Sequence, residues 1–256
     1  MKKKILILSM ISFGCLLLLS LAFGFSEKND FSISRKASAA SLIRAAYAQP
    51  AAETSDDLLL INEIVQTKYD KLTPTVSFQG NLAGIEDGKV DLNDRSFPVE
   101  RGSLYWSTAT DRESSETVER YFGAENTFSA EGEEIVRDFY IPGALKIDFE
   151  NGRDLEFSKA EGIRFRWNAD ERNEYPLIVV LQYIQEDGKE LLTKQFSFND
   201  WEQSAEIGPE DLKDFPSDSK LILYAGRGNG KIVSIRGRET SLAGLTITSV
   251  PGIVVK

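Results

Sequence analysis

The stretch GIRFRWNAD, residues 162–170, sets Arg164 and Arg166 two positions apart, with Ile163, Phe165 and Trp167 alternating between them. At the two-residue period of a strand this gives one apolar face and one cationic face. Planar guanidinium groups donate paired hydrogen bonds to a carboxylate or to vicinal hydroxyls, which a lysine point charge cannot do. Gln182 on the next strand, with Tyr224 and Arg227 near the end of another, would supply further polar contacts. Trp106, in GSLYWSTATDRESSE, precedes a polar segment and offers an indole to the C–H side of a sugar ring. Arg164, Arg166, Gln182, Tyr224, Arg227 and Trp106 are therefore the candidate ligand-binding residues. The ordinary alternative is a solvated, salt-bridged face for the two arginines, and core positions for Trp167 and Trp201.

What the chain lacks narrows the chemistry. There is no histidine, so the commonest general base, the Ser-His and Cys-His pairs and most zinc and copper sites are excluded. The single cysteine, Cys15, lies in an N-terminal apolar run, which leaves the folded part without disulfide or thiol chemistry. The clusters Glu131, Glu133 and Glu134, and Glu186, Asp187 and Glu190, would make a glycosidase pair only if folding set two carboxylates across a cleft. GRGNGK, residues 226–231, lacks the spacing and the Ser or Thr of a phosphate loop, and reads as a hairpin turn. No cofactor is expected. A structural calcium ion is the one metal left open, although no EF-hand loop is present. The formal charge of −10 and pI of 4.8 argue against nucleic acid as a partner.

These residues must be positioned outside the cytoplasm. Lys2, Lys3 and Lys4 precede an uncharged run from Ile5 to Phe25, long enough as a helix to cross a bilayer core. It is an export signal or a signal anchor with the lysines on the cytoplasmic side. Cleavage after Gly24, Ala39 or Ala48 would each follow a small-x-small site, and Ser12-Phe13-Gly14-Cys15 is a poor lipoprotein box. Membrane contact is expected through residues 5–25 only. Residues 26–73 read as a linker or processed segment followed by one short amphipathic helix over 54–72. Thr54 or Ser55 would cap it, and Leu58, Ile61, Val65, Tyr69 and Leu72 would lie on one face. That face would pack on the domain or mediate self-association.

From Pro74 the chain breaks into short β-rich runs punctuated by Gly, Asn, Asp and Pro, including TVSFQG, ALKIDFE, GIRFRWNA, PLIVVLQYI, KLILYAG, KIVSIRG and LAGLTITSV. Such spacing predicts an all-β, two-sheet antiparallel β-sandwich over 74–256. PLIVVLQYI is apolar on both phases and should be a central strand. Phe165, Trp167, Leu181, Leu223 and Ile247 are expected in the core.

Ala144-Leu145-Lys146, Gly162 to Asp170, Pro176 to Gly188, Trp201 to Phe215 and Leu242 to Thr248 succeed one another in an order that resembles the galactose-binding-like β-jelly-roll superfamily. The likeness is greatest to its carbohydrate-binding modules and to the complex I intermediate-associated proteins. It covers about half of the chain and concerns fold positions, not a catalytic motif. The resemblance implies a jelly roll and a mostly non-catalytic role in binding sugars or proteins. The expected protein is thus an exported, non-catalytic cell-envelope module that binds a glycan. An envelope assembly protein binding another protein is the alternative, and a carboxylate-based glycoside hydrolase a minor one.

Overall fold

The computed structural model describes residues 58–68, 71–82, 84–107, 120–184 and 191–256, and the expected signal, anchor and cleavage sites lie outside them. In chain order the strands are β1 (Leu58–Lys68), β2 (Lys71–Asn81), β3 (Asp87–Leu92), β4 (Arg95–Glu100), β5 (Ser103–Ser107), β6 (Ala124–Ala130), β7 (Glu133–Ile141) and β8 (Ile147–Phe149). They continue as β9 (Glu156–Phe157), β10 (Ile163–Trp167), β11 (Leu177–Ile184), β12 (Leu191–Phe198), β13 (Ser204–Ile207), β14 (Ser219–Ile235) and β15 (Arg238–Val255). One helical turn, α1 (Pro209–Leu212), and a 3-10 turn at Asp200–Glu202 interrupt them. The protein is all-β and folds as a sandwich of curled sheets.

The β14–β15 hairpin is its spine. Arg236 and Gly237 close it with φ of 51° and 76°, the positive pair that a tight two-residue turn matching strand twist requires. The turn is therefore at 236–237. Residues 226–231, expected to form it, run on inside β14. The main sheet has the order β12-β11-β14-β15-β1-β2-β5-β4-β3-β6-β7, with β9 beside the end of β15. A second sheet, β13-β10-β8, is separate.

Two cores result. In the C-terminal half, Ile163, Phe165 and Trp167 of β10 meet Leu177, Val179 and Leu181 of β11 and Leu221, Leu223 and Ala225 of β14. In the N-terminal half, the main sheet curls so that Phe139 and Ile141 of β7 return to β15, where a side chain on Gly244 would come within 2.8 Å of Ile141. Phe78, Phe97, Trp106 and Tyr121 fill that curl; the Phe78 and Phe97 rings stack at 4.4 Å.

Three expectations need correction. Residues 58–68 form a strand, not part of a helix: β1 is paired parallel with β15 and antiparallel with β2. LLLINEIVQTK satisfies a helical period, but it also carries Ile61, Ile64, Val65 and Thr67, residues suited to a strand between two others. The sheet consequently begins at Leu58, before Pro74, and is not wholly antiparallel. β11 is central, as its two apolar phases predict, with Ile178 and Val180 buried on one side and Leu177, Val179 and Leu181 on the other.

Candidate binding surface

The outer face of β13-β10-β8 is built by alternation. Each inward residue of β10 is buried and each outward arginine exposed. Register places Arg164 opposite Glu206 of β13, and Arg166 between Ser204 of β13 and Asp148 of β8. Asn151 holds the edge, its Oδ1 accepting from the Arg164 backbone N–H at 2.8 Å and its Nδ2 donating to the Gly162 carbonyl at 3.0 Å. Arg166 Nε pairs with Glu150, yet its side chain stays open to solvent. Cations Lys146, Arg164 and Arg166 thus stand among carboxylates Asp148, Glu150 and Glu206, so the surface is close to neutral.

Beside the Arg166 end of this sheet, the turn at 200–202 carries, among the described residues, the most exposed large apolar side chain, the Trp201 indole, at 73%. Both flanks of that turn are pinned. Trp167 Nε1 donates to the Asp200 carbonyl and to its Oδ1, each at 2.9 Å, and Asn173 Nδ2 donates to Oδ2 at 3.1 Å. On the other flank Asn199 Nδ2 donates to Glu202, and the Gln203 carbonyl accepts from the Trp167 backbone N–H at 3.0 Å. Gln203 itself sits in the left-handed region, φ 59°. A fixed backbone with a solvent-facing indole is the arrangement a stacking platform needs. The sequence signal was the unbroken polar setting NDWEQS, which has no strand alternation.

The other candidates lie elsewhere. Trp106 is only 9% exposed, packed on Phe78 and Phe97, with the Arg95 guanidinium 4.4 Å from its ring centre. The two tryptophans therefore exchange their expected places. Gln182 is buried on the opposite sheet, its Nε2 3.4 Å from Thr193 Oγ1. Tyr224 is half-buried on that same far face, and burial raises its hydroxyl pKa.

Arg227 is 1% exposed and structural. Its guanidinium donates to the carbonyls of Gly143, Ala144 and Asn168 at 2.7–3.1 Å and lies 3.6 Å from Asp200. Asn229 donates to the Tyr140 carbonyl at 3.0 Å, Thr246 to that of Pro142 at 2.8 Å, and Thr248 to that of Leu145. The irregular segment 142–146 pairs with no strand, so side chains of β14 and β15 satisfy the carbonyls of Pro142, Gly143, Ala144 and Leu145. This polar belt divides the two cores. Burial raises the Asp200 carboxyl pKa, opposed by Arg227 and by the donors from Asn173 and Trp167. Nearby, burial and then the bond to Asp170 push the Tyr140 hydroxyl up to about 12.

Glu131 accepts from the Lys89 backbone N–H and pairs with Arg236, while Glu133 and Glu134 are exposed on β7; residues 186–190 lie outside the described set. Among the described residues no three acidic or thiol groups converge as a metal site would require, and no helix is long and apolar enough to cross a membrane. No protein-family model, curated protein or solved structure matches the chain.

Proposed function

We propose that this chain is an exported, non-catalytic cell-envelope β-sandwich that binds carbohydrate on the outer face of β13-β10-β8. The observation that carries the reading is the exposed Trp201 indole on a pinned turn, beside a strand presenting Arg164 and Arg166 in phase. A pyranose stacks on an indole through its C–H face, and guanidinium, carboxylate and hydroxyl groups take its rim. Because cations and carboxylates balance on this face, neutral hydroxyl-rich glycans fit it better than polyanions. The resemblance to galactose-binding-like jelly rolls agrees with such a role, and export rests on the Lys-rich start and the apolar run 5–25. A carboxylate hydrolase gains no support from Asp200, which is enclosed by Trp167, Asn173 and Arg227.

A glycan array probed with parent and Trp201→Ala protein tests this. The parent is expected to bind one class of neutral glycan, and the variant, with an unchanged circular dichroism spectrum, to lose at least tenfold in affinity. Binding to no glycan, or equal binding by the variant, overturns the reading. The alternative, an assembly protein, draws on a different surface, the apolar far face of the main sheet.

A further inference from the structure

On that far face, register aligns Ile178, Gly226 and Ile247 in one row, and Val180, Tyr224 and Ser249 in the next. Gly228 lies opposite Leu245, and Gly230 opposite Ala243. Ile178, Val180, Ala243, Leu245 and Ile247 are all buried, yet among the described residues they join neither core. Three glycines, Gly226, Gly228 and Gly230, at alternate positions of one strand put no side chain on this face, and glycine inside a strand marks close approach of another backbone. Ser249 gives a second, independent sign: its Oγ is buried on this face without a hydrogen-bond partner. A buried hydroxyl of that kind calls for an acceptor or donor arriving from above.

We propose that residues 37–48, ASAASLIRAAYA, dock on this face. The chain supplies few other occupants. Residues 108–119, TATDRESSETVE, and 185–190, QEDGKE, are polar, and 5–25 is the membrane-directed run. Residues 37–48 combine alanines, which suit close approach over the glycine row, with Leu42, Ile43 and Tyr47, which suit the apolar residues flanking it. The connection also fits. β1 begins with Leu58 paired to Ser241, beside Ala243 at one end of the face, and residues 49–57 reach up to about 30 Å back along it. The inference is independent of the glycan reading. It also selects among the cleavage sites, since cutting after Gly24 keeps the segment and cutting after Ala48 removes it.

The test uses full-length protein isolated after export, with Cys15→Ser as background and Ser249→Cys as a near-isosteric probe. A second cysteine is placed at each of positions 37–48 in turn and oxidised with copper phenanthroline. Intramolecular disulfides at a periodic subset of positions are expected, with the thiol introduced at position 249 slow toward maleimide in the single variant. Disulfide-linked dimers would assign the face to a second copy and overturn the proposal. So would a readily labelled thiol at position 249 with no cross-link at any position, or a mature mass lacking residues 37–48.

Discussion

The two cores are closed by different means. The C-terminal one lies between two sheets, and its strands alternate so regularly that inside and outside can be read from GIRFRW alone. The N-terminal one is enclosed by a single sheet that curls until β7 comes back to β15, and it is filled by aromatic rings from β2, β4 and β5. Both share β14 and β15, 17 and 18 residues long, and the belt of Arg227, Asn229, Thr246 and Thr248 marks where one core ends and the other begins. Two halves built on one hairpin should unfold together, even though each has its own apolar interior.

The largest effect is expected from Trp167→Ala, which removes a buried indole from the C-terminal core and a donor from Asp200. It should cost about 3–5 kcal/mol in urea denaturation. A cost below about 1 kcal/mol would show that the aromatic layer of β10 does not hold that core. Arg227→Met comes next, at roughly 3 kcal/mol, because Asp200 and three carbonyls lose their buried donor at once. With Trp106 in one core and Trp167 in the other, tryptophan fluorescence and far-ultraviolet circular dichroism of the parent should report coincident urea midpoints. Separate midpoints would break the comparison by making the halves independent.

Gly244→Val tests how the N-terminal half closes. Its added carbons would collide with Ile141 and Phe139 where β7 meets β15, at a cost of about 1–3 kcal/mol. The change should be smaller in an Ile141→Ala background, which makes room; an equal loss in both backgrounds would deny that contact.

The contrast between the halves also governs what the sequence reveals. β10 is legible because its burial repeats every second residue, and β11 because both of its phases are apolar over a run short enough for one strand covered on both sides. β1 is not, since a strand flanked on both sides by others reads as an apolar run that a helical period fits as well. Trp106 and Trp201 were exchanged for a related reason. The polar residues after Trp106 suggest exposure, but its own strand turns it inward against Phe97, whereas Trp201 follows a buried aspartate in a turn no alternation describes. Arg227 has the chemistry of a ligand contact; only the tertiary path of residues 142–146 shows that backbone carbonyls already occupy it.

A subtler effect concerns pH. Asp200 holds its proton more tightly when folded, because burial outweighs Arg227 and its hydrogen-bond donors. Its contribution to stability is therefore full below the ordinary aspartate range and is lost as pH rises through the raised folded value. Asp200→Asn carries no such charge. Relative to the parent, the variant should be weakest at low pH and gain steadily as pH increases, as followed by urea midpoints. A difference independent of pH would mean that the carboxylate is fully compensated within the belt.

The smallest effect on stability, and the one that most sharpens the contrast between wall and surface, is expected from Arg164→Ala with Arg166→Ala. Both side chains point away from the C-terminal core, and the Arg166–Glu150 pair is solvent-exposed, so folding should change by no more than about 0.5 kcal/mol. Binding to a glycan retained by the parent should nevertheless weaken by about 1–3 kcal/mol if the guanidiniums donate to its hydroxyls. The two measurements separate the roles. Loss of stability with unchanged binding would make this face a salt-bridged wall of the sandwich. Loss of binding alone, matched by Trp201→Ala, would join the β10 arginines and the pinned indole into one surface.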